Sequence, residues 1–313
     1  MRALRLGTRG SPLALWQARR VAALLEARGT PVEVLSITTQ GDRRQDVPLP
    51  DIGGKRVFVK EIDEALLSGA IDLAVHSAKD MAAESAPGLR IAATLPREDP
   101  RDAIVLGARS RFPQVERLFP PAALEHRELT PSIGTGSVRR IALLSRALPG
   151  ATFTPVRGNV DTRLRKLDAG DMDAIILAAA GLNRLGLGGR ISCLIPVETC
   201  VPAPGQGIIA IEVRNDDEPT RARVCVLNDD EARIALRAEQ ALVAALGGGC
   251  QLPLGAYASI GGGSLVLRAV VASVTGEEVL STQLSGKPVE AAALGRQAAV
   301  DLDARGARRI LHI

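Results

Sequence analysis

Aromatic side chains are scarce in this chain of 313 residues, which has one Trp, one Tyr and four Phe. Proteins that bind single-stranded nucleic acid usually stack bases on aromatic rings beside a basic surface. The composition therefore disfavours that class of protein, although 39 Lys and Arg residues outnumber 35 Asp and Glu residues. The net charge of +4 suits an anionic partner without identifying one.

Residues that bind metals or form disulfides are also few. The chain has three His and four Cys, with no C-x-x-C pair and no His pair at zinc-finger spacing. This pattern predicts neither a metal site nor a disulfide scaffold. The first residues lack the apolar core of a signal peptide, and no uncharged apolar run reaches the length of a membrane span. We therefore expect a soluble cytoplasmic protein, and a monomer, because no long exposed apolar helix stands out.

Apolar residues make up 46% of the chain and follow an alternating strand and helix pattern over its first two thirds. The patterns predict strands at residues 2–6, 32–38, 71–76, 90–94, 103–106, 132–134, 152–155 and 174–178, and helices at 12–28, 58–67, 138–147 and 160–167. This alternation predicts parallel-type sheets covered by helices, in two similar blocks. Ligands of such folds bind outside the carboxyl ends of the strands.

The last third has a different pattern. A long apolar-periodic segment at 231–246 predicts one helix, followed by strand-like runs at 255–260, 265–274 and 279–284 and a helix at 290–304. We expect a small α+β domain here.

Cys250 lies between these elements, in the sequence GGGCQLPLG at 247–255. Three glycines leave the backbone free and the space around the thiol clear. Cysteine is ordinarily a small buried structural residue, and in that role it needs no open space around its thiol. A thiol that carries a covalently attached group does need such space.

Residues 41–56 form a long polar segment with two prolines and a glycine pair beside Lys55. Loops of this length are lids over a site or are disordered, and both interpretations stay open here. As a lid, the segment would cover the cleft and would include Lys55, with Phe58 just beyond it.

The first block has a cation and a carboxylate directly after a buried strand, in Ser77-Ala78-Lys79-Asp80. Polar groups at this end of a strand are where α/β sites are built. The alternative is a solvated ion pair at the start of a helix.

The second block has a glycine- and hydroxyl-rich turn, GTGSVRR at 134–140, which predicts an anion cradle at a helix start. Two arginines in a first helical turn oppose the helix dipole unless an anion is present. Basic residues also follow the other predicted strand ends: the full set is Arg9, Lys79, Arg139, Arg140, Arg157 and Arg163. Arginine binds carboxylates bidentately, so the set indicates a polyanionic organic ligand.

Eight short motifs span nearly the whole chain: TRGSPLA at 8–14, GGK at 53–55, FVKE at 58–61, VHSAKD at 75–80, REDPRD at 97–102, VRGN at 156–159, PGQG at 204–207 and GC at 249–250. In this order they make the chain similar to the porphobilinogen deaminase (hydroxymethylbilane synthase) family.

The resemblance implies a fold of two periplasmic-binding-protein-like α/β domains plus a small C-terminal α+β domain. We place them at residues 1–97 with 207–224, at 102–202 and at 229–313. It also implies a covalent dipyrromethane cofactor on Cys250 and a catalytic role for Asp80. The residues implied to bind cofactor and substrate are Arg9, Ser77, Lys79, Thr135, Gly136, Ser137, Arg139, Arg140, Arg157, Arg163 and Gln206.

Three departures from the family pattern stand out. Gly136 replaces a serine usual in the second-block turn, Ala78 replaces a larger apolar residue, and Met81-Ala82 replaces Val-Pro. None of them removes a charged group.

The activity implied is the stepwise deamination and condensation of four porphobilinogen molecules onto the cofactor, followed by hydrolytic release of linear hydroxymethylbilane. Neither a metal nor a nucleotide is expected. The competing hypothesis is a solute-binding module that binds an anion without turnover, for which Cys250 on its glycine loop would have no use.

Overall fold

The computed structural model describes residues 2–43, 59–108, 110, 130–248 and 252–313. Within these ranges the strands form two five-stranded sheets and one three-stranded sheet. No helix of the described ranges is long and apolar enough to cross a bilayer.

The first sheet has the strand order β2-β1-β3-β10-β4. Its strands are β1 (Leu4–Arg9), β2 (Val32–Ile37), β3 (Leu73–Ser77), β4 (Leu89–Thr94) and β10 (Ile209–Arg214). Its helices are α1 (Pro12–Glu26), the short α2 (Gln40–Arg43), α3 (Lys60–Leu67) and α7 (Glu218–Val224). Helix α1 begins as predicted, with the Ser11 side chain accepting a hydrogen bond from the Ala14 amide and Pro12 in the first turn.

The second sheet repeats this arrangement with the order β7-β6-β8-β5-β9. Its strands are β5 (Asp102–Leu106), β6 (Ser132–Gly134), β7 (Thr152–Thr154), β8 (Ala174–Ala178) and β9 (Cys193–Leu194). Its helices are α4 (Val138–Ala147), α5 (Val160–Ala169) and α6 (Ala179–Arg184).

The predicted fold class of two α/β domains and a small α+β domain is confirmed, but both larger sheets are mixed rather than parallel. In the first, β10 runs antiparallel to β3 and β4; in the second, β5 runs antiparallel to β8. The chain leaves the first sheet after β4, builds the second, and returns for β10. The predicted domain boundaries stay a proposal, which this sheet membership supports.

The third unit is an antiparallel sheet covered by two helices. Its elements are α8 (Asp230–Leu246), β11 (Leu254–Gly261), β12 (Ser264–Ala272), β13 (Val279–Gly286), α9 (Ala291–Ala304) and α10 (Ala307–Leu311). Helix α8 ends at Gly247, which adopts the left-handed conformation (φ 73°) three residues before Cys250 in the sequence. Helices α8 and α9 approach closely at Gly295, where a Cβ atom would lie 2.2 Å from the Ala238 carbonyl oxygen.

A buried carboxylate joins this third unit to the segments that connect the two larger sheets. Glu239 of α8 is fully buried and accepts hydrogen bonds from Arg97 Nη1 (2.6 Å), the Gly205 amide (2.6 Å) and the Ala258 amide (2.8 Å). Arg97 follows β4, and Gly205 precedes β10. Glu239 therefore fixes the third unit against both crossover segments.

The helix contact at Gly295 gives a test of this packing. Gly295→Ala adds a methyl group against backbone atoms, so we expect a loss of about 1–3 kcal/mol in the free energy of unfolding, as for other overpacked sites. Gly261→Ala is the matched control, since a Cβ there meets nothing within 4 Å. Urea unfolding of the full chain measures both. Equal stability of the two variants would contradict the close helix contact.

Candidate active site

A cavity of about 300 Å³ lies between the two larger sheets, at the carboxyl ends of β1, β3 and β8. Six cationic side chains and two carboxylates line it. They are Arg9, Lys79, Arg140, Arg157, Arg163 and Arg184, with Asp80 and Asp161. The predicted cleft is therefore present, and it is strongly basic.

Strand β3 brings the first candidate residues to the cavity. Ser77 ends the strand, and Lys79 and Asp80 lie in the 3₁₀ turn Ala78–Asp80 that follows. Gly205 packs on this turn with φ 74°, and a Cβ atom there would lie 2.9 Å from the Ala78 carbonyl carbon. The turn that holds Asp80 is thus shaped by a glycine in the second crossover segment.

The two predicted polar neighbours of Asp80 are held by side-chain contacts. The Ser77 hydroxyl and the Gln17 amide lie 2.9–3.1 Å apart, and Lys79 Nζ is 3.5 Å from Gln206 Oε1. Burial lowers the pKa of Lys79 to about 8, a shift that Asp80 opposes and Arg140 reinforces. Lys79 is therefore a cation that an anionic ligand would stabilise.

Asp102 is the anion that balances the two arginines at the start of α4, and the sequence analysis missed it. It is fully buried and accepts hydrogen bonds from Arg139 Nη2 (2.9 Å), Arg140 Nη2 (2.7 Å) and Gln206 Nε2 (2.9 Å). Burial opposes the charge on Asp102, but Arg139 and Arg140 outweigh it and hold the pKa of this carboxyl group well below its usual range. The helix start therefore does not by itself require a bound ligand.

The two arginines are not equivalent. Arg139 is buried, donates to the Val201 carbonyl oxygen (2.7 Å) and lies 3.2 Å from Cys200 Sγ. Only Arg140 lines the cavity. Both were predicted as ligand-binding residues, and the structure brings only one of them to the cavity surface.

The hydroxyl-rich turn before α4 is engaged with its own backbone. Ser137 Oγ accepts from the Arg140 amide at 3.4 Å, and Thr135 Oγ1 accepts from the Ser137 amide at 3.3 Å. Among described residues, the cavity lining includes neither these two residues nor Gly136 nor Gln206. A Cβ atom on Gly136 would lie 3.1 Å from the Val156 carbonyl oxygen, so the space for the usual serine is narrow here.

Arg157 and Arg163 face the cavity as predicted. The Nη1 atom of Arg157 is buried and has no hydrogen-bond partner among the described residues. Arg163 donates to the Gly158 carbonyl oxygen (2.8 Å), and burial, followed by Arg140 and Arg157, lowers its pKa to about 10. Crowded guanidinium groups of this kind favour a ligand with several carboxylates.

Arg184 is a further cavity residue that the sequence analysis missed. It ends α6 and donates to the Gly207 carbonyl oxygen at 2.5 Å, and burial lowers its pKa to about 10. Helix α6 directly follows β8, which was predicted. A basic residue soon after a predicted strand was therefore the signal that could have identified Arg184.

Three predicted residues lie outside the described residues: the attachment residue Cys250 and the lid residues Lys55 and Phe58. Most of the predicted lid segment at 41–56 also lies outside them. Of the other cysteines, Cys200 is buried, Cys193 is half-buried and Cys225 is exposed.

The Asp102 network gives a test of what holds the second sheet to the cavity. Asp102→Asn removes the charge that Arg139 and Arg140 share, so we expect a loss of about 3–5 kcal/mol in the free energy of unfolding, as for other broken buried pairs. Asp168→Asn, which breaks the more exposed pair with Arg190, should cost less than about 1 kcal/mol. Chemical denaturation measures both values; similar losses would contradict the central role of Asp102.

Comparison with known proteins identifies the family. Residues 4–222 match the family described as porphobilinogen deaminase, dipyromethane cofactor binding domain, and residues 234–304 match the porphobilinogen deaminase C-terminal domain. The porphobilinogen deaminase of Syntrophomonas wolfei is 46% identical, covering 99% of this chain and 98% of the relative. That of Syntrophotalea carbinolica is 45% identical, covering 99% and 95%.

Among solved structures, the alkanesulfonate-binding protein SsuA from Xanthomonas axonopodis pv. citri is similar at 19% identity and a TM-score of 0.39. The match covers 77% of this chain and 74% of that protein. The family matches cover both larger units and the third unit together. The chain therefore belongs to the porphobilinogen deaminase family of transferases and has that family's dipyrromethane cofactor-binding domain.

Proposed function

We propose that this chain is a hydroxymethylbilane synthase that joins four porphobilinogen molecules head to tail on a dipyrromethane primer attached to Cys250, and then releases the linear product by hydrolysis. The family membership supports the reaction. The observation that carries the assignment to this site is the cavity in which Asp80 faces six cationic side chains.

The residues present fit the cofactor. Each of its two pyrrole rings carries an acetate and a propionate group, and the cavity offers guanidinium groups suited to such carboxylates. Arg157 has a buried Nη1 atom without a hydrogen-bond partner among the described residues, as expected of a side chain whose partner is a bound anion. Arg140, Arg157 and Lys79 would hold the cofactor, which supplies the free α-carbon to which the first substrate is added.

Asp80 is suited to the chemical step. When ammonia leaves the aminomethyl group of porphobilinogen, the remaining pyrrole is a cationic azafulvene. A carboxylate beside the pyrrole N–H stabilises this charge and accepts a proton when the new bond has formed. The backbone of the turn that carries Asp80 follows β3 directly and packs closely on Gly205, so Asp80 starts from a fixed position at the cavity.

The basic residues position the substrate. Arg9 and Arg163 lie in the same cavity as Asp80 and would bind the acetate and propionate groups of the incoming ring or the growing chain. Arg184 adds a cation that the sequence analysis did not include. We also propose that Lys55 acts from a lid formed by residues 41–56, with Phe58 just beyond it, as the composition of that segment suggests.

The competing hypothesis of a solute-binding module rests on the first two units alone. It gives no role to a third unit whose helix α8 is tied to both crossover segments and precedes Cys250 in the sequence. The absence of nucleic-acid and membrane partners, the monomeric state and the cytoplasmic location stay predictions from the sequence.

The role of Asp80 is tested by Asp80→Asn, which keeps the size of the side chain and removes its charge. We expect turnover to fall by at least ~10²-fold, as for other acid–base and electrostatic groups. Asp161→Asn is the matched control, because Asp161 also lines the cavity but lies on α5; it should stay within a few-fold of wild type. Intact mass first verifies that both variants carry the cofactor. Near-normal turnover of Asp80→Asn would contradict the assignment.

The role of Cys250 is tested by intact mass against the 32.8 kDa of the polypeptide. Cys250→Ser should lose the added mass of the dipyrromethane, because a serine hydroxyl is a far weaker nucleophile than a thiolate. Cys225→Ser, Cys193→Ser and Cys200→Ser should each keep it. A Cys250→Ser protein that still carries the added mass would show that the attachment site lies elsewhere.

A further inference from the structure

A buried cluster of one imidazole and two carboxylates lies beside the cavity and has no part in the proposed reaction. It consists of Asp63, His76 and Glu212, whose ligand atoms all lie within 4.8 Å of one another. The residues are 5%, 5% and 2% exposed. Charged side chains are seldom buried to this extent without a specific role.

The fold brings these residues together from three elements. Strands β3 and β10 pair with His76 opposite Ala210 and Ala74 opposite Glu212, so His76 and Glu212 are diagonal neighbours on one face of the sheet. Helix α3 packs its apolar residues on this face and contributes Asp63 from its first turn. The cluster therefore lies between α3 and the two central strands.

His76 points into the cluster. Its Nε2 atom is 3.7 Å from Glu212 Oε2, too far for a hydrogen bond, and has no hydrogen-bond partner among the described residues. An imidazole nitrogen that has no hydrogen-bond partner among the described residues and lies near two carboxylates is placed as a metal ligand would be.

We propose that Asp63, His76 and Glu212 bind a divalent transition-metal ion, with Zn²⁺ or Mn²⁺ best suited to the donor set. One imidazole nitrogen and two carboxylate oxygens suit these ions, whereas Mg²⁺ and Ca²⁺ prefer oxygen ligands alone. Ligands around a tetrahedral zinc ion lie about 3.4 Å apart, so side-chain shifts of several tenths of an ångström would complete the site.

The position of the site indicates a structural role. His76 immediately precedes Ser77 and the turn that holds Lys79 and Asp80, and Glu212 lies on the strand that returns from the second sheet. An ion here ties α3 to both strands beneath that turn. The proposal does not depend on the reaction, because the metal is assigned no chemical step.

The test uses the full chain carrying its cofactor, stripped with a chelator and then equilibrated with Zn²⁺ or Mn²⁺. We expect uptake of one equivalent, measured by inductively coupled plasma mass spectrometry. We also expect a rise of a few degrees in Tm at saturating metal, because a ligand that binds only the folded state stabilises it. Failure of the wild-type chain to take up metal at millimolar concentration, with an unchanged Tm, would overturn the proposal.

Near-isosteric variants locate the bound ion. Asp63→Asn and Glu212→Gln should each weaken binding by more than ~10-fold, since even second-sphere changes at metal sites cost 10–100-fold. Asp72→Asn is the matched control: it alters another buried carboxylate of the same unit, one that pairs with Arg5. Zinc held elsewhere, for example by the exposed Cys225, would bind equally to all variants, and that result would also overturn the proposal.

Discussion

The arrangement of the cavity depends on the hydrogen bonds that the Asp102 carboxylate accepts. Asp102 lies at the start of β5, where the chain enters the second sheet, and it accepts hydrogen bonds from two arginines of α4 and from Gln206 of the returning segment. Without a charge here, two guanidinium groups would stand at a helix N-terminus with the dipole against them. Asp102 thus permits a cation at the cavity surface, Arg140, at a place where a helix ordinarily disfavours one.

Gln206 extends this interaction to the rest of the molecule. Its side chain contacts Asp102 and Lys79, and its carbonyl oxygen accepts from Arg97 Nε at 2.8 Å. Arg97 in turn pairs with Glu239 of the third unit. A continuous series of polar contacts therefore runs from α8, the helix that precedes Cys250 in the sequence, to the basic cavity. Because each member is buried or half-buried, loss of one leaves its neighbour unsatisfied, and these contacts stabilise the third unit against the crossover segments.

Local signals in the sequence were sufficient for many elements, and long-range pairing decided those that were missed. Helix α4 and strands β6 and β8 have the predicted bounds, because Ser137 caps the helix and Pro149-Gly150 end it within the same segment. Strand β10 was not predicted, since its neighbours β3 and β4 lie more than a hundred residues earlier. For the same reason Asp102, which lies on β5, 37 residues before Arg139, could not be recognised as the counter-ion of α4. Four of the five arginines that line the cavity, Arg9, Arg140, Arg157 and Arg163, were singled out from the sequence because they come soon after predicted strands, and topology directs such positions to one edge of the sheet; Arg184, at the end of a short helix that was not predicted, was not.

The cavity carries more positive charge than its own carboxylates can balance, and this imbalance has a physical cost. Burial lowers the pKa values of Lys79, Arg163 and Arg184, which means that the charged form of each side chain is less stable in the folded protein than in water. Arg157 leaves a buried nitrogen without a hydrogen bond among the described residues. Such strain is tolerated because the rest of the fold, through Asp102 and Glu239, fixes the walls of the cavity. A ligand with two carboxylates per ring, as in the proposed function, would relieve it on binding. The same groups that destabilise the free cavity therefore favour a polycarboxylate ligand, and they surround Asp80, the carboxylate to which the proposed function assigns the stabilisation of a cationic pyrrole.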